Sequence, residues 1–169
     1  MEQKADIEKL LAQYHNASYG WAMACCQRNV EEAKETLQIT YLKVLEGKAV
    51  PPSPAQFKAW LFRVIRNTAI DLQRKRTVRA KLRIQFSRNQ RDRDAAPLDM
   101  ANEQQAELAE AMKKLSKRQM ELLHLVFYQG QTLAEAADIL GLSLGTARSH
   151  YARAKEKLKL LLQSSESSK

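Results

Sequence analysis

A chain of 169 residues, of which 44% are hydrophobic, can bury the core of one medium domain or two small ones, which excludes disorder throughout. Its formal net charge of +9 predicts attraction to a polyanion. Nucleic acid is favoured over a membrane surface, because the basic helices have apolar faces only as wide as a core requires. Since the sequence lacks both a signal-peptide pattern and an apolar run of membrane-spanning length, we expect a cytoplasmic protein without membrane insertion.

Apolar residues recur with helical spacing along the chain. Glycine and proline are scarce, at five and four residues, and no stretch alternates as a half-buried strand does. The sequence therefore predicts an all-α protein, with a first helix over residues 4–27 and a second over residues 30–45. Gly47 is placed to end the second helix.

Three prolines between residues 48 and 54 exclude helix from the next connection. Ser53 and Gln56 have the spacing of a capping box around Pro54, so a third helix is predicted to start there. One face of this helix is apolar and the opposite face is polar. The apolar positions are Phe57, Trp60, Leu61, Val64, Ile65, Thr68, Ala69 and Leu72. The polar positions are Lys58, Arg63, Arg66, Asn67, Asp71, Arg74 and Lys75.

An arginine-rich stretch after residue 74 gives way to small and polar residues. This change predicts two small helical domains, over residues 1–86 and 103–163, joined by a flexible linker over residues 87–102. Residues 164–169 are expected to form a disordered tail.

The C-terminal domain is predicted to open with a helix over residues 103–114. Ser116 and Gln119 then have capping-box spacing, and Leu115 and Met120 flank them as a hydrophobic staple.

Residues 132–157 predict two short helices joined by a tight turn. Thr132 and Glu135 have capping-box spacing, Gly141 suits a left-handed helix end, and Ser143 can cap the following helix. The buried stripe of the first helix is expected at Leu133, Ala136, Ala137 and Leu140. This pattern is typical of a helix-turn-helix, whose second helix enters the major groove of DNA.

The second helix of this hairpin has one apolar side, formed by Ala147, Tyr151, Ala154 and Leu158. Its other side is therefore the candidate base-reading surface. Arginine can bond guanine through two hydrogen bonds, serine can adapt to several bases, and a small residue allows close approach. The candidate contacts to this upstream DNA element are Thr146, Arg148, Ser149, Ala152, Arg153 and Lys155.

Metal, redox and catalytic chemistry find little support in the sequence. Cys25 and Cys26 are neighbours, a spacing that suits neither a structural disulfide nor zinc, so we expect thiols with at least one in the core. A redox-sensing role is the alternative. His15, His124 and His150 are scattered, and no phosphate-binding glycine loop or paired nucleophile and base occurs. We therefore expect that the protein binds no metal or cofactor, has no catalytic residue and is not an enzyme.

These motifs, in this order, resemble the extracytoplasmic-function (ECF) sigma factors of bacteria, small two-domain members of the sigma-70 superfamily. The stretch LSKRQMELLHLVFYQGQTLAEAADILGLSLGTARSHYARAKEKL resembles region four, which reads the promoter element near minus thirty-five. EEAKETLQITYLKVL resembles region 2.2, and residues 57–76 resemble regions 2.3 and 2.4. The implied function is promoter-specific transcription initiation. A free-standing helix-turn-helix regulator with an N-terminal sensor or dimerisation bundle is the alternative.

The resemblance also implies partners and further site residues. The partners are core RNA polymerase, through the clamp helices of its largest subunit and its flap, promoter DNA, and an anti-sigma factor. Glu35, Gln38 and Leu42 fall at polymerase-binding positions, whereas Lys34 and Ile39 stand where the family commonly has acidic residues. The loop at residues 48–54 matches one that captures a flipped base. The residues implied in minus-ten recognition and melting are Arg63, Arg66, Asn67, Asp71, Arg74, Lys75 and Arg76.

Overall fold

The computed structural model describes residues 2–84 and 103–166, so the predicted linker at residues 87–102 lies outside the described residues. The chain divides into two compact units, Met1–Ala96 and Pro97–Lys169, and the division falls within that predicted linker. Over the described ranges every regular element is a helix, as predicted. None of the helices described is both long enough and apolar enough to cross a membrane.

The N-terminal unit contains helices α1 (Glu2–Gln13), α2 (His15–Cys25), α3 (Val30–Leu45) and α4 (Phe57–Ile84). The single helix predicted over residues 4–27 is therefore wrong, because the chain bends at Tyr14, where φ is −96° and ψ is 8°. The Tyr14 ring stacks on Phe57 of α4, with centroids 6.0 Å apart. A tertiary contact thus accompanies a break that helical periodicity alone does not reveal.

Trp21 anchors the core of this unit between α2 and α4. Its side chain is fully buried, its ring stacks on Phe62, and its indole nitrogen donates to the Phe62 carbonyl at 2.9 Å. A buried tryptophan needs such a partner for its N–H group. Because α4 packs against both α2 and α3, its buried face is wider than the predicted stripe and includes Phe62.

The caps of α3 confirm its predicted limits. The Asn29 side chain accepts a hydrogen bond from the Glu32 amide at 3.0 Å, and Gly47 takes a left-handed φ of 71° just beyond the helix. The capping box predicted around Pro54 is wrong. Ser53 donates to the Gln56 side chain at 3.4 Å rather than capping a backbone amide, and a 3-10 turn, Pro54–Gln56, precedes α4.

The C-terminal unit contains α5 (Glu103–Lys113), α6 (Lys117–Leu123), α7 (Leu133–Leu140) and α8 (Leu144–Glu166), with a π-helical turn, His124–Tyr128, after α6. Helix α5 confirms the predicted first helix. Helix α8 continues to Glu166, so residues 164–166 are helical where a disordered tail was expected. Residues 167–169 lie outside the described part of the chain.

One face of α8 holds this unit together, because α5, α6 and α7 all pack against it. The capping box at Ser116 and Gln119 is confirmed in both directions. A core cluster forms around Leu115, Leu123 and Ala154. Its partly buried neighbours are Met112, Met120, Tyr151 and Leu158.

Candidate nucleic-acid interfaces

The α7–α8 hairpin has the turn that its sequence predicts. The Thr132–Glu135 capping box forms in both directions, and Gly141 has a left-handed φ of 65°. The Leu142 amide then donates to the Ala137 carbonyl at 2.8 Å, which closes the end of α7. Ser143 accepts from the Thr146 amide at 3.1 Å and so caps α8. These local bonds fix the angle at which α8 leaves the turn.

The two sides of α8 differ as expected for a base-reading helix. Ala147 and Ala154 are fully buried, and the small size of their side chains lets α7 and α6 approach closely. All the predicted contacts to the upstream element are exposed, and they are Thr146, Arg148, Ser149, Ala152, Arg153 and Lys155. Their place on one open surface is therefore confirmed, while their contacts with DNA stay a prediction.

Two of these side chains also have roles inside the protein. The Thr146 hydroxyl lies 2.8 Å from the Ser143 hydroxyl, so it contributes to the cap of α8. The Lys155 ammonium lies 4.8 Å from the centre of the Tyr151 ring, a cation–π arrangement that holds the lysine along the helix surface.

Helix α4 presents a second polar surface. Arg63, Asn67, Asp71, Arg74 and Lys75 are all exposed and follow one another at intervals of about one helical turn. This confirms the expected polar face for five of the seven residues implied in minus-ten recognition.

Arg66 does not lie on that face. It is only 7% exposed, so the predicted placement opposite the apolar stripe is wrong. The reason is that α2 and α3 both pack against α4, and the residues one turn away on either side, Phe62 and Ala69, are buried with it. A guanidinium in this position is not retained among the candidate phosphate contacts.

Arg76 is half-exposed, but carboxylates of α3 already engage it. One guanidinium nitrogen lies 2.8 Å from Glu32 Oε1, and the other is ion-paired with Glu35. Arg76 therefore links α4 to α3 through ion pairs in this structure, and its side chain does not extend freely into solvent. Sequence reasoning missed the pair because Glu35 is 41 residues away along the chain.

The three candidate polymerase contacts share an exposed face of α3. Glu35, Gln38 and Leu42 are all solvent-accessible, and Leu42 is 50% exposed, which is notable for a large apolar side chain. Lys34 is paired with Glu31 at 3.4 Å, and Ile39 is turned toward α4. The shared face is confirmed, and polymerase binding by these residues stays a prediction.

Sequence reasoning missed a groove between α3 and α4. It has a volume of about 300 Å³, and its polar lining is Lys43, Thr68, Asp71, Arg74 and Lys75. The Lys43 ammonium donates to the Thr68 hydroxyl at 3.3 Å, which holds the lysine in the groove. One sequence pattern points to this groove. Ile39 and Lys43 are four residues apart and so share a face of α3, and this face lies next to the face of Glu35, Gln38 and Leu42.

Other candidate chemistry is sparse in the described residues. Cys25 and Cys26 are both buried thiols, which confirms that at least one lies in the core. No three His, Cys, Asp or Glu side chains within the described ranges converge on a point where a metal ion could bind.

Comparison with known proteins defines the class first. Residues 10–79 match Sigma-70 region 2, and residues 111–160 match Sigma-70, region 4. The N-terminal bundle and the helix-turn-helix unit are thus the two conserved parts of a sigma-70-type transcription initiation factor.

Individual relatives narrow the class. The chain is 31% identical over 134 residues to the ECF RNA polymerase sigma factor EcfG of Rhodopseudomonas palustris (strain TIE-1), covering 79% of this chain and 73% of that one. It is 27% identical over 129 residues to the RNA polymerase sigma factor SigZ of Bacillus subtilis (strain 168), covering 76% and 72%. The chain belongs to the ECF sigma factors, which direct transcription initiation.

Two solved structures are similar along most of the chain. The sigma factor RpoE from Bartonella quintana, in complex with the anti-sigma factor NepR, has a TM-score of 0.73 at 25% identity and covers 94% of this chain and 97% of its own. CnrH, in complex with the cytosolic domain of CnrY, has a TM-score of 0.62 at 26% identity and covers 93% and 87%.

Proposed function

We propose that this sigma factor divides promoter recognition between its two units. Helix α3 docks on core RNA polymerase, α4 holds the opened minus-ten strand, and α8 reads the minus-thirty-five element. The observation that carries the proposal is the division of α8 into an inner side, where Ala147 and Ala154 are fully buried, and an exposed side that bears the predicted contacts. A helix fixed in this way presents its outer side chains to the major groove in a constant register.

Reading by α8 requires few residue types. Arg148 is exposed and can donate two hydrogen bonds to guanine, an interaction worth about 1–3 kcal/mol of discrimination. Ser149 can bond several base edges, and Ala152 lets the helix approach the groove floor. Arg153 is a further candidate for reading a base edge, whereas Lys155 suits a phosphate contact, which supplies affinity without sequence information.

In this proposal, a row of exposed basic residues on α4 binds the separated DNA strand. Arg63, Arg74 and Lys75 are exposed cations that suit the phosphates of a separated strand, and Asn67 lies between them as a base contact. We propose that the loop at residues 48–54 receives an unstacked base. Binding the open strand more tightly than the duplex favours melting, so this mechanism assigns no bond chemistry to the chain.

The partners follow from the family. We propose that an anti-sigma factor covers the exposed faces of α3 and α4, as an anti-sigma factor accompanies the similar sigma factor RpoE in its solved structure. We also propose that the protein acts in the cytoplasm, where core polymerase and promoter DNA are found. A free-standing regulator is not retained, because residues 10–79 match Sigma-70 region 2.

The decisive experiment is transcription in vitro with core polymerase and a promoter library, combined with a core-binding measurement. Leu42→Ala should weaken core binding by about 1 kcal/mol, or roughly fivefold, because half of a leucine side chain remains to be buried on docking. Leu160→Ala is the matched control, since Leu160 is 62% exposed but lies on α8. Equal effects of the two substitutions on core affinity would refute docking through α3.

A further inference from the structure

The groove between α3 and α4 contains a concentration of positive charge. Lys43, Arg74 and Lys75 contribute three cations, and Asp71 contributes one carboxylate. Among the described residues, none of the three cations is at salt-bridge distance from a carboxylate, in contrast to the neighbouring Arg76, which is paired with Glu32 and Glu35. A concave site with uncompensated charge concentrates its field on an incoming anion.

The Lys43 side chain is already positioned for such an anion. It is partly buried, and its hydrogen bond to the Thr68 hydroxyl at 3.3 Å uses one of its three N–H donors. Thr68 is itself 2% exposed and therefore fixed in place. The remaining donors of Lys43 are available to the groove, beside the exposed Arg74.

The surroundings of the groove favour a nucleic-acid strand as the source of the anion. Ile39 and Leu72 form apolar walls, which suit the sugar or base face on either side of a phosphate. The exposed stripe of α4 that begins at Arg63 and Asn67 leads along the helix to Asp71 and into the groove. A strand held along that stripe would therefore enter the groove that Lys43 lines.

An acidic side chain of a docking protein fits this site less well. Successive residues of a helix are rotated by 100°, so Ile39 and Lys43 lie about a quarter turn from the face of Glu35, Gln38 and Leu42. The candidate docking face is thus separate from the groove, and it carries a carboxylate instead of a cation.

We propose that this groove binds a backbone phosphate of the opened promoter strand, with Lys43 as a phosphate-binding residue and Thr68 as its positioning residue. The inference rests on the proposed function of α4. It makes α3 bifunctional, since one face of that helix docks on polymerase and the adjacent face contacts DNA.

The test uses holoenzyme reconstituted from core polymerase and the full chain, and a forked promoter fragment with a single-stranded minus-ten region. Lys43→Gln should lower the slope of log affinity against log salt by about 0.7, which corresponds to a loss of roughly fourfold at physiological salt. Lys43→Arg should retain most of the affinity. The matched control is Lys9→Gln, since Lys9 is an exposed lysine of α1 that pairs with Asp6 at 3.8 Å.

Core affinity and thermal unfolding are measured for each variant. Equal salt slopes for Lys43→Gln and Lys9→Gln would overturn the inference. If Lys43→Gln lowers the affinity for core polymerase but leaves binding of the fork by the holoenzyme unchanged, the inference is also overturned. Lys43 would then contact an acidic side chain of polymerase instead of DNA. If the wild-type holoenzyme itself does not bind the fork, the proposed function fails, which is a different result from either of these.

Discussion

Two glycines of the helix-turn-helix should respond in opposite directions to the same substitution. Gly141 has a left-handed φ of 65°, whereas Gly145 lies in the first turn of α8. At both positions an added Cβ meets nothing within 4 Å, so packing contributes to neither substitution. The difference between Gly141→Ala and Gly145→Ala therefore isolates the backbone conformation of the turn.

The expected magnitudes follow from that conformation. A left-handed backbone costs an L-residue about 1–2 kcal/mol, so Gly141→Ala should increase the open fraction of the turn by roughly 5- to 30-fold. Gly145→Ala should stabilise the unit by about 0.4–1 kcal/mol, because alanine loses less backbone freedom than glycine on entering a helix. Gly141→Asn should cost less than Gly141→Ala, since asparagine tolerates the left-handed region better.

The measurement is native-state amide hydrogen exchange on the full chain. The Leu142 amide, which bonds to Ala137 at 2.8 Å, and the Ala147 amide, which bonds to Ser143 at 2.9 Å, report opening of the turn. Both should exchange faster in Gly141→Ala and slower in Gly145→Ala. The Ala33 amide in the N-terminal unit is the internal reference. Unchanged or slower exchange at Leu142 in Gly141→Ala would refute a left-handed turn.

Three further substitutions test the interfaces and the N-terminal unit. Arg148→Ala should cost about 1–3 kcal/mol in binding to the upstream element and relax base preference at one position; a uniform loss across all sequences would instead make Arg148 a phosphate contact. Arg76→Ala should lower the free energy of unfolding of the N-terminal unit by up to about 1 kcal/mol, and less at high salt, because its ion pairs with Glu32 and Glu35 are partly exposed. Tryptophan fluorescence reports this unit alone, since both tryptophans, Trp21 and Trp60, belong to it, and a loss that grows with salt would contradict the ion-pair role. Burial raises the pKa of Tyr41 above its ordinary value of 10.0, so the unfolded chain ionises first and stability is lost as pH rises through the folded pKa. Above pH 10.0, Tyr41→Phe should therefore lose stability less steeply than the wild type, and equal slopes in alkaline urea titrations would refute this.

Most parts of the fold that depend on neighbouring residues could be predicted from the sequence, although the capping box expected at Ser53 and Gln56 does not form. The limits of α3, the capping box at Thr132 and Glu135, and the left-handed Gly141 all arise from hydrogen bonds within a few residues. The exposed side of α8 can be predicted in the same way, because the helical repeat turns Arg148 away from the side that carries Ala147 and Ala154.

The parts that depend on which helices meet could not be predicted in this way. Arg66 belongs to the polar pattern of α4 but is buried, because two helices pack there instead of one. Arg76 meets its partners, and Lys43 meets Thr68, only after α3 and α4 have packed. The π-helical turn at His124–Tyr128 is closed by a hydrogen bond from the Gln129 amide to the His124 carbonyl. No residue pattern in the sequence predicts this bond.

The division of α8 into two sides has an evolutionary consequence. Ala147 and Ala154 are fully buried, so only small side chains fit at these two positions. Arg148, Ser149 and Arg153 are exposed and are not part of the core. Exposed positions away from caps and cores change protein stability by little when substituted. Under the proposed reading of the promoter by these outer residues, a duplicated gene can therefore acquire a new promoter preference while its product continues to fold and to bind the same polymerase.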